Sequence, residues 1–134
     1  MSGKLLSSLY FLVGALNIIP IIGVMGADRL EALYGVSLTD AAALLMMQHR
    51  AVLLAIVGGL LVVASFKRAL RPAAAICGFI SMLSFMMLYW AGSSGGHSGD
   101  ISSLAGIYQA DAAGVAILTA ACIWGFVQRK RESR

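Results

Sequence analysis

The chain has 134 residues, of which 60% are hydrophobic and 12% charged, and its mean hydropathy is +0.87. A soluble domain carries about 25% charge and roughly half apolar residues, so the composition excludes a soluble globular protein and reads as a single integral membrane domain over residues 1–134. The net charge of +4 is then a matter of topology rather than of nucleic-acid binding, because bases gather on the cytoplasmic side of membrane proteins.

The first apolar run, 5–26, holds no charged residue. It is longer than a signal-peptide core of about 7–15 residues, and Met25-Gly26-Ala27 is a poor cleavage site, so it reads as a retained first helix. Pro20 removes a backbone donor and predicts a kink, tolerable where neighbouring helices cover the freed carbonyl. The connection that follows carries Asp28, Arg29, Glu31 and Asp40. Within it Arg29 to Tyr34 fits a short interfacial helix ending at Gly35. Ser37-Leu38-Thr39-Asp40 is a helix-start signal of the capping-box kind, with Asp in place of Glu.

The second helix, 41–66, exceeds the length of one bilayer crossing, so its first turns stand near the outer surface. Lys67-Arg68-Ala69-Leu70-Arg71-Pro72 is a basic connection whose proline suits the first turn of the next helix. The third helix, 73–92, ends in Tyr89-Trp90, aromatics that favour the membrane–water boundary. Residues 93–100 (SSGGHSGD) read as a flexible loop. The fourth helix, 106–127, stops just before Arg129, Lys130 and Arg131.

These elements predict an all-α four-helix transmembrane bundle. With both termini and the 67–72 connection on the cytoplasmic side, eight bases lie inside and only Arg29 and Arg50 outside, as the positive-inside rule requires. The expected location is the bacterial cytoplasmic (inner) membrane, multi-pass, with the lipid bilayer as the first partner.

Height along each helix follows from the 1.5 Å rise per residue. Arg50 is counted from Lys67 and Asp111 from Arg129; both stand ~25–27 Å above the inner charged boundary, within a hydrocarbon core of ~30 Å. Asn17, Pro20 and Ser84 fall ~20–24 Å high by the same count. The polar residues of all four helices thus meet at one level in the outer leaflet. A base there is costly and calls for a partner or a task. Asp111 is the expected partner of Arg50. His49, one residue away, points about 100° off that direction.

Two small-residue faces, Ala51/Ala55/Gly59 and Ala112/Ala116/Ala120, predict close packing of the second helix on the fourth, which would bring the pair within reach. Ser94-Gly95-Gly96-His97 followed by Ile101-Ser102-Ser103 formally matches nucleotidyltransferase signatures. Those signatures need a Rossmann-like sheet, and this chain has no α/β pattern. Cys77 and Cys122 fit packing roles, since they form no CxxC or zinc spacing. Met46, Met47, His49, Met86 and Met87 offer soft ligands, but methionine is also an ordinary apolar filler. No metal, cofactor or catalytic residue is assigned.

The LNIIPIIGV first helix, the LEALYGVSLTD connection, and MMQHRAVLLAIVGGLLVVASFKRALRP followed by GFISMLSF make the chain resemble a group of small four-helix bacterial membrane proteins. Some of that group carry the label phosphopantetheine adenylyltransferase, and their plan is similar to DoxX-type proteins. The resemblance implies a fold and a location, not a reaction. The expected function is a non-enzymatic accessory subunit, or a binder of lipid or of a small molecule, with Arg50, Asp111, His49 and Asn17 as the site. A membrane-protein partner or homo-oligomer is compatible with it. The alternative is a small membrane enzyme or proton-coupled transporter using His49 and Asp111.

Overall fold

The structure, a computed structural model, describes residues 2–35, 39–96 and 102–132. Helices α1 (Ser2–Ile18), α2 (Ala27–Tyr34), α3 (Ala41–Phe66), α4 (Arg71–Ala91) and α5 (Ala105–Glu132) make up almost all of it, with no strand among the described residues. Four segments are long and apolar enough to cross a membrane: Gly3–Met25, Ala41–Phe66, Arg68–Ser94 and Ser102–Arg131. Only 17–28% of an apolar 18-residue stretch of each span is buried in the bundle. Phe11, Ile56, Ile80 and Phe126 point outward, an apolar belt suited to lipid rather than water.

At Pro20, where a kink is expected, the α-helix gives way to a tighter one. The proline's missing N–H leaves the Leu16 carbonyl without its α-helical donor, and the chain tightens into a 3-10 helix over Ile19–Met25 within the same span. Gln48 of α3 then donates to the Val24 carbonyl at 3.1 Å. The side chain of Leu30, fully buried in α2, seats against Gly23 of this stretch. Gly35 closes α2 in the left-handed conformation at φ 65°, its N–H donating to Glu31 O at 2.7 Å.

Asp40 is itself the N-cap of α3, its carboxylate accepting from Ala43 N at 2.8 Å. Ser37 and Leu38 of the expected capping signal lie outside the described residues, as do His97 and Ile101 of the loop motif. Asp40→Ala is expected to cost about 1 kcal/mol of stability, read as a lower thermal midpoint in detergent.

In the bundle α1 packs against α3 and α5, and α4 packs against the same two. Helices α3 and α5 therefore stand diagonally across the centre, which corrects the expected close packing of the second span on the fourth. Ala116 and Ala120 are exposed, and a Cβ built on Gly59 would meet nothing within 4 Å. The close crossing is instead Gly14 of α1 on Gly58 of α3. A Cβ on Gly58 would lie 2.6 Å from the Gly14 carbonyl oxygen, and one on Gly14 would lie 2.7 Å from the Gly58 oxygen. Both positions must be glycine for the backbones to approach this far.

The packed core gathers towards the termini end of the bundle, around Leu6, Tyr10, Leu61, Ala64, Leu118 and Ala121. Arg71 locks that end. It donates to the Ala64 and Ser65 carbonyls at 3.2 Å each and to Ser7 Oγ at 2.9 Å, and its guanidinium lies 5.5 Å from the Tyr10 ring centre. It thereby satisfies carbonyls at the end of α3 that no further helical turn can reach, and it ties α1, α3 and α4 together. Cys122 Sγ lies 3.8 Å from the Tyr10 hydroxyl, while Cys77 is exposed, and both are free thiols.

Candidate ligand-binding site

Towards the other end the bundle axis is not filled. A cavity of about 870 Å³ lies between the four spans, bounded by α2 and the start of α5. Each span contributes one face at helical spacing. The first gives Val13, Leu16, Asn17 and Pro20, and α3 gives Arg50, Leu53, Leu54 and Val57. Helix α4 gives Ser81, Ser84, Phe85, Leu88 and Tyr89, and α5 gives Ile107, Ala110, Asp111 and Gly114. These i, i+3, i+4 and i+7 sets each lie on one side of their helix, so a single chamber can draw on all four.

Arg50 and Asp111 face this chamber from diagonal helices. Among the described residues no ion pair joins them, and the Asp111 carboxylate has no hydrogen-bond partner. The Arg50 guanidinium lies instead over aromatic faces, 4.6 Å from the Phe85 ring centre and 5.9 Å from that of Tyr34. Cation–π contacts of this kind contribute ~0.5–2 kcal/mol. They hold the guanidinium in an apolar setting while leaving its N–H donors available to another acceptor.

Burial raises the pKa of the Tyr34 hydroxyl, with Arg50 opposing that shift and Asp111 adding to it. Both charges thus act on one phenol at the chamber wall. Asn17 is buried, its amide N–H donating to Val13 O at 2.9 Å. That bond turns the amide back along its own helix. Phe85 continues into an aromatic row, with Tyr89 at 6.4 Å and Tyr108 of α5 at 5.0 Å from Tyr89.

Of the four candidate residues, the structure brings Asn17, Arg50 and Asp111 to one cavity. His49 is exposed and does not line it. The methionines are dispersed: Met46 and Met87 are over 70% exposed, and neither lines the chamber. Sequence reasoning missed Tyr34 and, apart from the height of Ser84, the α4 face. The latter had a signal, since Ser81, Ser84, Phe85, Leu88, Tyr89 and Gly92 repeat at i, i+3, i+4, i+7, i+8 and i+11.

Such a chamber can hold a molecule with an apolar body and an anionic group. Apolar walls take the body, Arg50 supplies a charge-assisted donor, and Asp111 accepts from a hydroxyl or amine. Compared with known proteins, the chain matches no family model, no curated protein and no solved structure.

Proposed function

We propose that the chain is a membrane-embedded, non-enzymatic binding protein for a small amphipathic molecule with an anionic group, held in the chamber between the four spans. The observation that carries this reading is Arg50. It is a guanidinium in an apolar cavity, stacked on Phe85 and Tyr34 and joined to no carboxylate among the described residues. A structural tie would close on its partner and fill the space. The chamber's ~870 Å³ lies within the range of roughly 300–1,000 Å³ typical of small-molecule sites.

In the same proposal the protein sits in a bacterial cytoplasmic membrane with both termini cytoplasmic, following the distribution of its bases. Helix α2 then lies at the outer interface, and the chamber opens in the outer leaflet. It belongs there with the small four-helix proteins it resembles.

The test is extraction in native-lipid discs, with mass spectrometry of the molecules that co-purify. Gly106 lines the chamber, and a Cβ there would meet nothing within 4 Å, so Gly106→Phe is expected to fold and to obstruct the site. A bound acidic amphiphile present in the wild type and depleted at least tenfold in Gly106→Phe is the expected result. Identical co-purifying molecules in both proteins would refute the reading.

A further inference from the structure

A second concavity, remote from the chamber, opens at the termini end. This cleft of about 610 Å³ is lined by Gly3, Lys4, Ser7, Phe66, Arg68 and Arg71, together with Ser65. Among the described residues three bases therefore share it and no carboxylate lines it. The first turn of α1 is there as well, with N–H groups that have no helical acceptor and the positive end of the helix dipole. The bases and the helix end are close. A Cβ on Gly3 would lie 3.0 Å from Arg68 Nη2, so the guanidinium rests on the start of α1.

This arrangement is repulsive without a counter-ion. Arg71 Nε and Nη2 are occupied by Ala64, Ser65 and Ser7, while its Nη1 donates to nothing among the described residues. The side chains of Lys4 and Arg68 make no hydrogen bond or ion pair among those residues either. The available donors are guanidinium, ammonium and backbone N–H groups, a set that matches phosphate oxygens.

We propose that this cleft binds a phosphate group, supplied by the headgroup of an anionic phospholipid. The spans begin at Gly3 and Arg68 and end at Phe66, so the cleft lies where hydrocarbon gives way to headgroups. Phe66 lines it and is 77% exposed, setting an apolar ring beside the bases where an acyl chain would run. Basic pockets at this depth bind anionic headgroups by attraction from each base and by contact with the chains. The site is independent of the chamber and of any ligand bound there.

The experiment follows the thermal midpoint of the full chain in neutral detergent on titration with phosphatidylglycerol, with phosphatidylcholine and with inorganic phosphate. The expected result is a rise with phosphatidylglycerol and none with phosphatidylcholine. A midpoint raised by inorganic phosphate as strongly as by phosphatidylglycerol would keep the phosphate site and overturn its lipid source. Arg68→Gln and Lys4→Gln remove charges that pair with nothing among the described residues, so their midpoints without lipid should equal the wild type's or slightly exceed it as the repulsion is relieved. Each should weaken the phosphatidylglycerol response roughly fivefold, and Arg68→Lys should retain most of it. No response to phosphatidylglycerol or to inorganic phosphate, or a phosphatidylglycerol response unchanged in the double variant K4Q/R68Q, would overturn the proposal.

Discussion

Gly58→Leu is expected to be among the most damaging single substitutions in the bundle. Its Cβ would lie 2.6 Å from the Gly14 carbonyl oxygen and 2.8 Å from Ile18 Cγ1. The first of these neighbours is backbone and cannot rotate away, so α1 and α3 must separate. Overpacking usually costs 1–3 kcal/mol, and a clash of backbone on side chain belongs at the upper end, about 3 kcal/mol. Gly59→Leu is the control, because the added side chain enters open space, and it should stay within about 0.5 kcal/mol of the wild type. Trp90 and Trp124 fluorescence during thermal unfolding in detergent reads both. Equal loss at positions 58 and 59 would mean that the crossing of α1 and α3 is not where the structure has it.

Arg50→Met should separate binding from stability. Under the binding proposal, the guanidinium holds an anionic group, and losing hydrogen bonds to a charged partner costs about 1.5–3 kcal/mol. Retention of the bound molecule in native-lipid discs should therefore fall roughly tenfold to a hundredfold. The ligand-free protein should keep its thermal midpoint or gain a little, because an apolar side chain of similar length replaces a partly buried charge. Arg50→Lys should bind with intermediate strength, since an ammonium keeps the charge but lacks the planar fork that stacks on Phe85 and Tyr34. A midpoint lowered by several degrees in Arg50→Met, with ligand retention unchanged, would instead make Arg50 a packing residue.

The candidate site also shows which parts of a membrane protein can be read from its residues. Four apolar runs of at least sixteen uncharged residues demand helices and a bilayer whatever their neighbours, because no backbone group can be left unpaired in hydrocarbon. Height is equally local. It is residue number multiplied by a constant rise, and counting from the basic ends sets Asn17, Arg50, Ser84 and Asp111 at one level. The structure gathers those four residues around one chamber.

Which helices become neighbours is a different kind of quantity. It depends on rotation about each axis and on where two backbones can approach, and several helices here carry small residues that would serve. The alanine faces on α3 and α5 look equivalent to the Gly14–Gly58 crossing in one dimension. Only the packed bundle reveals that two facing glycines, with no Cβ on either side, permit the closer approach and draw α3 to α1. That choice sets α5 across the diagonal. It keeps Arg50 from closing on Asp111, seats the guanidinium on Phe85 and Tyr34, and leaves the chamber open between them. The sequence by itself determined the spans, their lengths and the level of the polar residues, because these depend on one helix at a time. The partner of each helix, and hence the difference between an ion pair and a cavity, was decided by tertiary packing, which depends on all four spans together.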